Sequence, residues 1–420
     1  MEPVSDISLP LPADAAPAVE IVRALRAAGH QALLAGGCVR DLLRGVPPLD
    51  YDVATDAPPA RVVELFRATR EVGASFGVVL VRRRSRWVEV ATFRSDGVYR
   101  DGRRPESVVF SDAHHDAQRR DFTVNGMFLD PESGEVIDYV GGRADIRDGV
   151  IRAIGDPAAR FSEDHLRLLR AVRFAARLAY QIEPRTADAI RAAAANLARV
   201  AAERIRDELE RMFADANRGR ALFLLQKLGL LSRLWPGAEA VARNAERVIP
   251  LVARIEGDVP AGFELTLAIL LSECDAGVEF AAFRGLSLSN QQAGAVAWLL
   301  QSRAALDDPA ALSLAQLKRL VASEWFGALR AWGRQRRADR SDRAILEALL
   351  SDRIARLHPE RIAPPPFVTG DDLLARGVAP GPLYKRVLSE LYEGQLNEEL
   401  PDRTTALVAL DALLANTLRA

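Results

Sequence analysis

Apolar positions change their spacing several times before residue 155 and then settle into one rhythm. Residues 18–28 repeat at helical spacing and predict an amphipathic helix. QALLAG follows as an apolar strand, then a short helix at 39–44, a strand at 51–55 and a helix at 59–69 opened by Pro58–Pro59. VVLVRR and RWVEVATF predict a hairpin turning at Arg84–Ser85, with Trp87, Glu89, Ala91 and Phe93 on one face of its second strand. GEVIDYV and VIRAIG supply two further short strands. Beyond 156 the strand signal fades, and helical periodicity in Ala, Leu and Arg runs almost to the end. Pro/Gly breaks near 235–238, 259–262 and 363–370 interrupt it. The expected organisation is a disordered lead-in over 1–17, an α/β head over 18–155, a helical neck over 156–240, and an all-α body and tail over 241–420.

Composition narrows this picture. The chain of 420 residues is long enough for roughly two to four domains. A formal net charge of −1 excludes a generally basic protein, so any nucleic-acid contact must come from local patches. Nearly all the basic residues are Arg, with Lys only at 227, 318 and 385. Guanidinium suits bidentate phosphate and base contacts, although a GC-rich genome explains the general excess. Cys38 and Cys274 are too few for a zinc site or a disulfide framework. The Pro-rich, acidic N-terminus has no signal-peptide pattern, and no apolar run reaches membrane-spanning length. A cytoplasmic protein without membrane contact is expected.

Three segments carry candidate chemistry. In the first, Gly36–Gly37–Cys38–Val39–Arg40–Asp41 is followed by Asp50–Tyr51–Asp52. Adjacent glycines between strand and helix let backbone approach a triphosphate, and Arg40 would add a charge-assisted fork. Residues two apart on a strand face one side, so Asp50 and Asp52 would present two carboxylates to a pair of Mg²⁺ ions. Either piece alone has a plainer explanation, a turn or a solvated strand end. Their order and spacing point to nucleotidyl transfer. Glu89 is a candidate third carboxylate, with a structural ion pair as the equal alternative.

The second segment is Arg119–Arg120–Asp121–Phe122–Thr123–Val124–Asn125, which mixes phosphate-binding cations with groups that can meet a ribose hydroxyl. In isolation it reads as a charged helix start capped by Asp. The third is Glu163–Asp164–His165–Leu166–Arg167–Leu168–Leu169–Arg170–Ala171–Val172–Arg173–Phe174. A helix capped by Ser162 would place Asp164, Arg167, Arg170 and Arg173 in one row. Such a row is ordinarily a set of surface ion pairs. It can also imitate the pairing edge of a base and so select a nucleotide without a template. The polar stretch 94–118 is too long for a simple connection and is read as a functional loop. Within it, Asp112, His114, His115 and Asp116 have a ligand-like composition but read better as a solvated turn.

These blocks, in this order, resemble the bacterial-type (class II) tRNA nucleotidyltransferase and poly(A) polymerase family, a branch of the polymerase-beta-like transferases. GGCVRDLLRGVPPLDYDVATDAPPARVVELF, RRDFTVNGM and IDYVGGRADIRDGVIRAIGDPAARFSEDHLRLLRAVRFAARL carry the likeness, which is specific over most of 30–235. AAERIRDELERMF is similar to the start of the family's RNA-binding helices, and AWGRQRRADR is a second Arg-rich candidate. The resemblance implies a polymerase-beta-like head and addition of C and A, from CTP and ATP, to the 3′ end of tRNA. It makes Asp50 and Asp52 the catalytic Mg²⁺ ligands. It gives nucleotide contacts to Gly36, Gly37, Arg40, Arg120, Asp121 and Asn125. Asp164 and Arg167 become the base readers, with Arg170 and Arg173 beside them. The loop at 94–118, with Gly97, Gly102 and ion-pairing charges suited to a mobile element, is expected to control the change from C to A, and the resemblance implies that a retained loop argues against a CC-only enzyme. Gly126 stands where relatives often have Ala, an exchange expected to matter little. Ser272–Glu273 occupies the place of a His–Asp pair, so no intact metal-hydrolase domain is expected. A poly(A) polymerase or A-adding enzyme fits the same motifs. A catalytically inactive RNA-binding protein is the alternative of another class.

Overall fold

The computed structural model describes residues 11–73, 77–97, 108–255, 259 and 261–417. The head is built on a mixed seven-stranded sheet. Its strands are β1 (Ala32–Ala35), β2 (Asp52–Thr55), β3 (Thr69–Gly73), β4 (Val78–Arg83) and β5 (Arg86–Thr92). After a separate two-stranded pair, β6 (Arg94–Asp96) and β7 (Val108–Phe110), come β8 (Met127–Leu129) and β9 (Val136–Asp138). The sheet order is β3-β4-β5-β2-β1-β8-β9. β1 is apolar throughout and fully buried because both faces of the sheet are covered there. On one face Leu33, Ala35, Ala54, Phe93 and Phe128 pack with Ala113 and Ala117 of helix α4 (Ala113–Arg119). Helix α1 (Ala16–Ala27) packs on β1, β2, β4 and β5.

Two registers place the chemistry. β1 and β2 are antiparallel with Ala35 opposite Asp52, so Asp52 lies beside the Gly36 turn. β2 and β5 are parallel with Val53 opposite Val90, so Asp52 and Glu89 sit one step earlier at the same sheet end. The β4–β5 hairpin turns as expected at Arg84 and Ser85. Both have positive φ (44° and 67°), which a two-residue hairpin turn with the sheet's own twist demands.

Helices α2 (Gly37–Leu43), α3 (Pro59–Leu65) and α5 (Gly142–Asp148) complete the head. The next helices are α6 (Pro157–Glu163), α7 (Arg167–Arg177), α8 (Pro184–Ala193), α9 (Ala202–Phe213) and α10 (Arg218–Lys227). A short parallel pair, β10 (Val150–Ile151) and β11 (Gln181–Ile182), lies among them. Contacts divide the chain into two compact units, residues 1–249 with 273–288, and residues 250–272 with 289–420. Head and neck thus share one unit. The second unit is helical and has its own apolar cluster, including Val368, Leu373, Val387, Leu391 and Leu410.

Several expectations change. Residues 13–17 are helical rather than disordered, since a 3₁₀ turn at Ala13–Ala15 leads into α1 and Ala15 is buried. The third helix ends at Leu65, and β3 and β8 are additional strands. The polar stretch after Phe93 holds β6, β7 and α4, while its residues 98–107 lie outside the described residues. No single helix starts at Ser162. Asp164 is extended (φ −142°, ψ 106°) between α6 and α7, and its carboxylate accepts from the Leu166 amide at 3.0 Å. This local turn competes with the helix and separates Asp164 from the Arg row.

Candidate active site

The site begins at the strand-to-helix turn. Gly36 has φ 76° and ψ −126°, and a Cβ there would meet Arg120 Nη1 at 3.0 Å. Glycine therefore serves both the backbone angle and the close approach of a guanidinium. The Gly36 amide donates to the Met127 carbonyl at 3.1 Å, tying the turn to β8.

Beside the turn, three carboxylates act on one another. Burial, then Glu89 and Asp50, push the Asp52 carboxyl up to about 7, with Arg120 pulling the other way. Burial and Asp50 also raise Glu89, again against Arg120. Asp50 is exposed and precedes β2 rather than lying within it. Its proximity to Asp52 thus owes nothing to strand alternation. Burial and Asp52 push the Cys38 thiol up to about 12, so this cysteine is inert packing. An oxygen-only set with excess negative charge fits a hard divalent cation such as Mg²⁺.

A second cluster is electrically complete. Arg40 is buried, and its Nε and Nη2 donate to the two Asp41 oxygens at 2.9 Å. Its Nη1 donates to Asn125 Oδ1 at 2.7 Å. Asn125 Nδ2 donates to Asp121 Oδ1 at 3.2 Å, and Arg170 Nε and Nη2 donate to Asp121 Oδ2 at 2.8 and 2.6 Å. Burial alone would raise the Asp121 carboxyl, but Arg170, with Arg167 and Asn125, draws it down to about 2. Arg173 Nε donates to buried Glu208 Oε2 at 2.6 Å, and Glu208 Oε1 lies 3.9 Å from Arg170. The Gly turn, the Arg119–Asn125 motif, α7 and α9 are joined by this chain.

Other expected residues are also engaged. Asp116 holds Arg119 on Oδ1 at 2.6 Å and Arg120 on Oδ2 at 2.9 Å. Arg167 Nη1 donates to Glu163 Oε2 at 2.5 Å and to the Arg160 carbonyl, and its Nη2 to the Arg119 carbonyl. Asp164 faces Arg204 of α9, which donates Nη1 to Oδ1 at 3.2 Å and Nη2 to Oδ2 at 2.8 Å. Asp112, His114 and His115, on the exposed start of α4, bring one ligand atom each within 4.8 Å of the others. They could hold a metal ion, but imidazoles favour zinc-type ions over Mg²⁺. Asp112 is also occupied in capping α4 through the His115 amide at 2.9 Å.

Comparison with known proteins follows the same outline. Residues 32–152 match the model of the poly A polymerase head domain, and residues 179–241 that of a probable RNA- and SrmB-binding site of polymerase A. The CCA-adding enzyme of Lactiplantibacillus plantarum is 31% identical over 418 residues, covering 97% of this chain and 98% of the relative. This chain belongs to the CCA-adding enzyme family. The Limosilactobacillus fermentum member is 42% identical over 223 residues, a span of 52% of this chain and 56% of that relative. The solved Bacillus stearothermophilus CCA-adding enzyme in complex with CTP superposes with a TM-score of 0.81 at 29% identity, covering 97% of this chain and all of the other. An α/β nucleotidyltransferase head followed by a helical C-terminal region is therefore the family's architecture as well as this chain's.

Within that family frame, the structure brings Gly36, Asp50, Asp52, Glu89 and Arg120 together. It uses Arg40, Arg170 and Arg173 differently from the expectation. Arg40 pairs with Asp41 instead of presenting a free anion-binding fork, and Arg170 and Arg173, whose side chains are 32% and 10% exposed, hold Asp121 and Glu208. Sequence reading gave no role to Arg204 and Glu208 and no partner to Asp41, and it read Asp116 as part of a solvated turn, whereas Asp116 is buried in α4. The i,i+4 spacing of Asp116 and Arg120 signals their pairing, and Asp41 is adjacent to Arg40. Arg204 and Glu208 meet partners 40 and 35 residues away, for which no local signal exists. The two Arg-rich segments are internally paired too. Arg206 bonds to Asp207 and the Ser287 carbonyl, and in the second unit Arg330, Arg334 and Arg337 share Glu347.

Proposed function

We propose that this chain builds or repairs the CCA end of tRNA, adding C and A from CTP and ATP. The observation that carries the reading is the Asp50–Asp52–Glu89 carboxylate cluster beside the Gly36 turn, in a chain of this family. The RNA 3′-hydroxyl attacks the α-phosphate and pyrophosphate leaves. Asp50 and Asp52 would hold Mg²⁺, which supplies neutralisation of the triphosphate and activation of the hydroxyl. The Gly36–Gly37 turn admits phosphate oxygens close to backbone amides. Arg120, pinned by Asp116 against that turn, offers positive charge where phosphate charge accumulates.

Base choice falls to Asp164, with Arg167 behind it. C and A carry an exocyclic amine donor on the pairing edge, where U and G carry a carbonyl oxygen. A carboxylate acceptor therefore welcomes the first two and repels the others. RNA is held by the neck, within 179–241. Cys38 and Cys274, both free thiols, suit action in the cytoplasm, where tRNA is processed. Among the described residues no helix is long and apolar enough to cross a membrane.

The test is labelled CTP and ATP supplied with tRNAs ending before CCA, after C, after CC and after A. C, C and A should be added in order and addition should stop. Long A tails on unrelated RNA would make this a poly(A) polymerase. RNA binding without incorporation would make it an inactive binding protein.

A further inference from the structure

Arg204 and Glu208 lie four residues apart on α9 and therefore share one helical face. From that face each reaches a different part of the proposed base-reading segment. Arg204 grips both oxygens of Asp164, and one turn later Glu208 accepts from Arg173 beside Arg170. The Arg167 amide donates to the Asp164 carbonyl at 3.0 Å, but the side chains of the two readers take separate partners, Glu163 for Arg167 and Arg204 for Asp164. The Asp164 carboxylate is held from outside its own segment, by a helix in the region that matches an RNA-binding model.

Asp164 depends on this support. Its backbone is extended between two helices, so no helical hydrogen-bond ladder fixes its direction. A carboxylate offers about four acceptor positions. The Leu166 amide and Arg204 Nη1 occupy two on Oδ1, and Arg204 Nη2 takes one on Oδ2. One position on Oδ2 remains. A single fixed acceptor can meet the exocyclic amine of C or A. A carboxylate free to turn has several acceptors, and can swing to the ring imino donor that U and G present instead.

We infer that Arg204 is a positioning residue for nucleotide selection: it fixes the Asp164 carboxylate so that one acceptor faces the base. This inference rests on the proposal that Asp164 reads the base. Arg204 touches neither nucleotide nor metal in this role. The pair is mostly shielded, with side chains 24% and 18% exposed, so breaking it can also cost stability, whereas only a positioning role changes the preference between nucleotides. Structure and selection therefore predict different readouts.

The experiment uses the full chain with Arg204→Met, Arg204→Lys and Asp164→Ala. Single-nucleotide addition is measured as kcat/KM for CTP against UTP on tRNA lacking CCA, and for ATP against GTP on tRNA ending in CC. Melting temperature and tRNA affinity are recorded alongside. Arg204→Met should narrow both preference ratios on the order of 10- to 100-fold, mainly through a higher KM for the correct nucleotide and a lower one for UTP and GTP. Arg204→Lys should be intermediate, since a point charge cannot bridge both oxygens. If Asp164→Ala relaxes selection and Arg204→Met does not, the positioning role is wrong and base reading by Asp164 survives. If neither relaxes it, both fall. Equal loss for all four nucleotides together with a lower melting temperature would make the pair merely structural. Should Arg204→Met be too unstable to assay, Arg204→Gln takes its place: relaxed selection supports the positioning role, and unchanged selection overturns it.

Discussion

Two charged clusters lie in the head-and-neck unit, and they are built on opposite principles. The network from Arg40 to Glu208 sets three guanidiniums (Arg40, Arg170, Arg173) against three carboxylates (Asp41, Asp121, Glu208), all with partners in hydrogen-bond or ion-pair reach. The cluster of Asp50, Asp52 and Glu89 gathers carboxylates that repel one another, with Arg120 as the opposing charge. Buried charge that is paired acts as scaffold, and buried charge left unbalanced is held for a ligand. The opposite shifts of two aspartates express this, Asp121 down to about 2 and Asp52 up to about 7. One fold thus secures its shape in the first place and stores function in the second.

The largest expected effect separates function from stability at the unbalanced cluster. Asp52→Asn should lower addition of both C and A by at least about 100-fold, the scale of losing one electrostatic element of a transfer site. It should not lower stability. Because the folded pKa of Asp52 is raised, its contribution is favourable below the usual 3.8 and is lost as pH rises through about 7. At pH 8 in chelator the Asn variant should therefore melt higher than the parent, and at pH 4 the two should converge. A variant that melts lower at pH 8 would show that Asp52 is a scaffold residue.

The paired network should respond the other way. Asp121→Asn takes the charged partner from Arg170, whose side chain is 32% exposed, and should cost about 1–2 kcal/mol in urea unfolding at pH 7. Since the folded pKa is depressed, the stability Asp121 supplies is present above the usual 3.8 and is lost as pH falls towards about 2. The gap between parent and variant should hold from pH 7 to about pH 4 and shrink below that. A gap independent of pH down to 3 would mean that shape, not charge, holds this network.

How much of this was legible follows from distance along the chain. The β4–β5 hairpin and the Gly36–Gly37 turn are local patterns, and the structure places them much as read, whereas Asp50 precedes β2 and does not share a strand face with Asp52. β3 and β8 escaped because TREVG is largely polar and MFL is too short for an alternation to show. The helical row from Asp164 to Arg173 failed for a different reason. Spacing describes which residues would share a face if a helix formed, and the extended Asp164 breaks it. The partners of Asp164 and Arg173 sit on α9 and that of Arg170 is Asp121, and only folding brings these segments together. Charge counts alone do not reveal that carboxylates on the same or a facing helix pair with guanidiniums of the Arg-rich segments.

The smallest effect probes how stiff the paired network is. Gly126 follows Asn125, the amide that links Arg40 to Asp121. Its φ of −96° suits any residue, so an alanine meets no backbone strain there. A Cβ would nevertheless stand 2.7 Å from Val140 Cγ2 and 3.0 Å from Ile154 Cδ1. This corrects the expectation that small-for-small exchange is free: an alanine here needs its neighbours to move. Overpacking of this kind costs about 1–2 kcal/mol, and the lower entropy of the unfolded alanine chain returns about half of that. Gly126→Ala should therefore lower the melting temperature by roughly 2–4 °C, and Val140→Ala on top should recover part of the loss. If the network is a stiff scaffold, the push on Asn125 will also raise the KM for both CTP and ATP. If only the melting temperature moves, the strain ends at Val140 and Ile154, and Arg40 and Asp121 are joined more loosely than their distances imply.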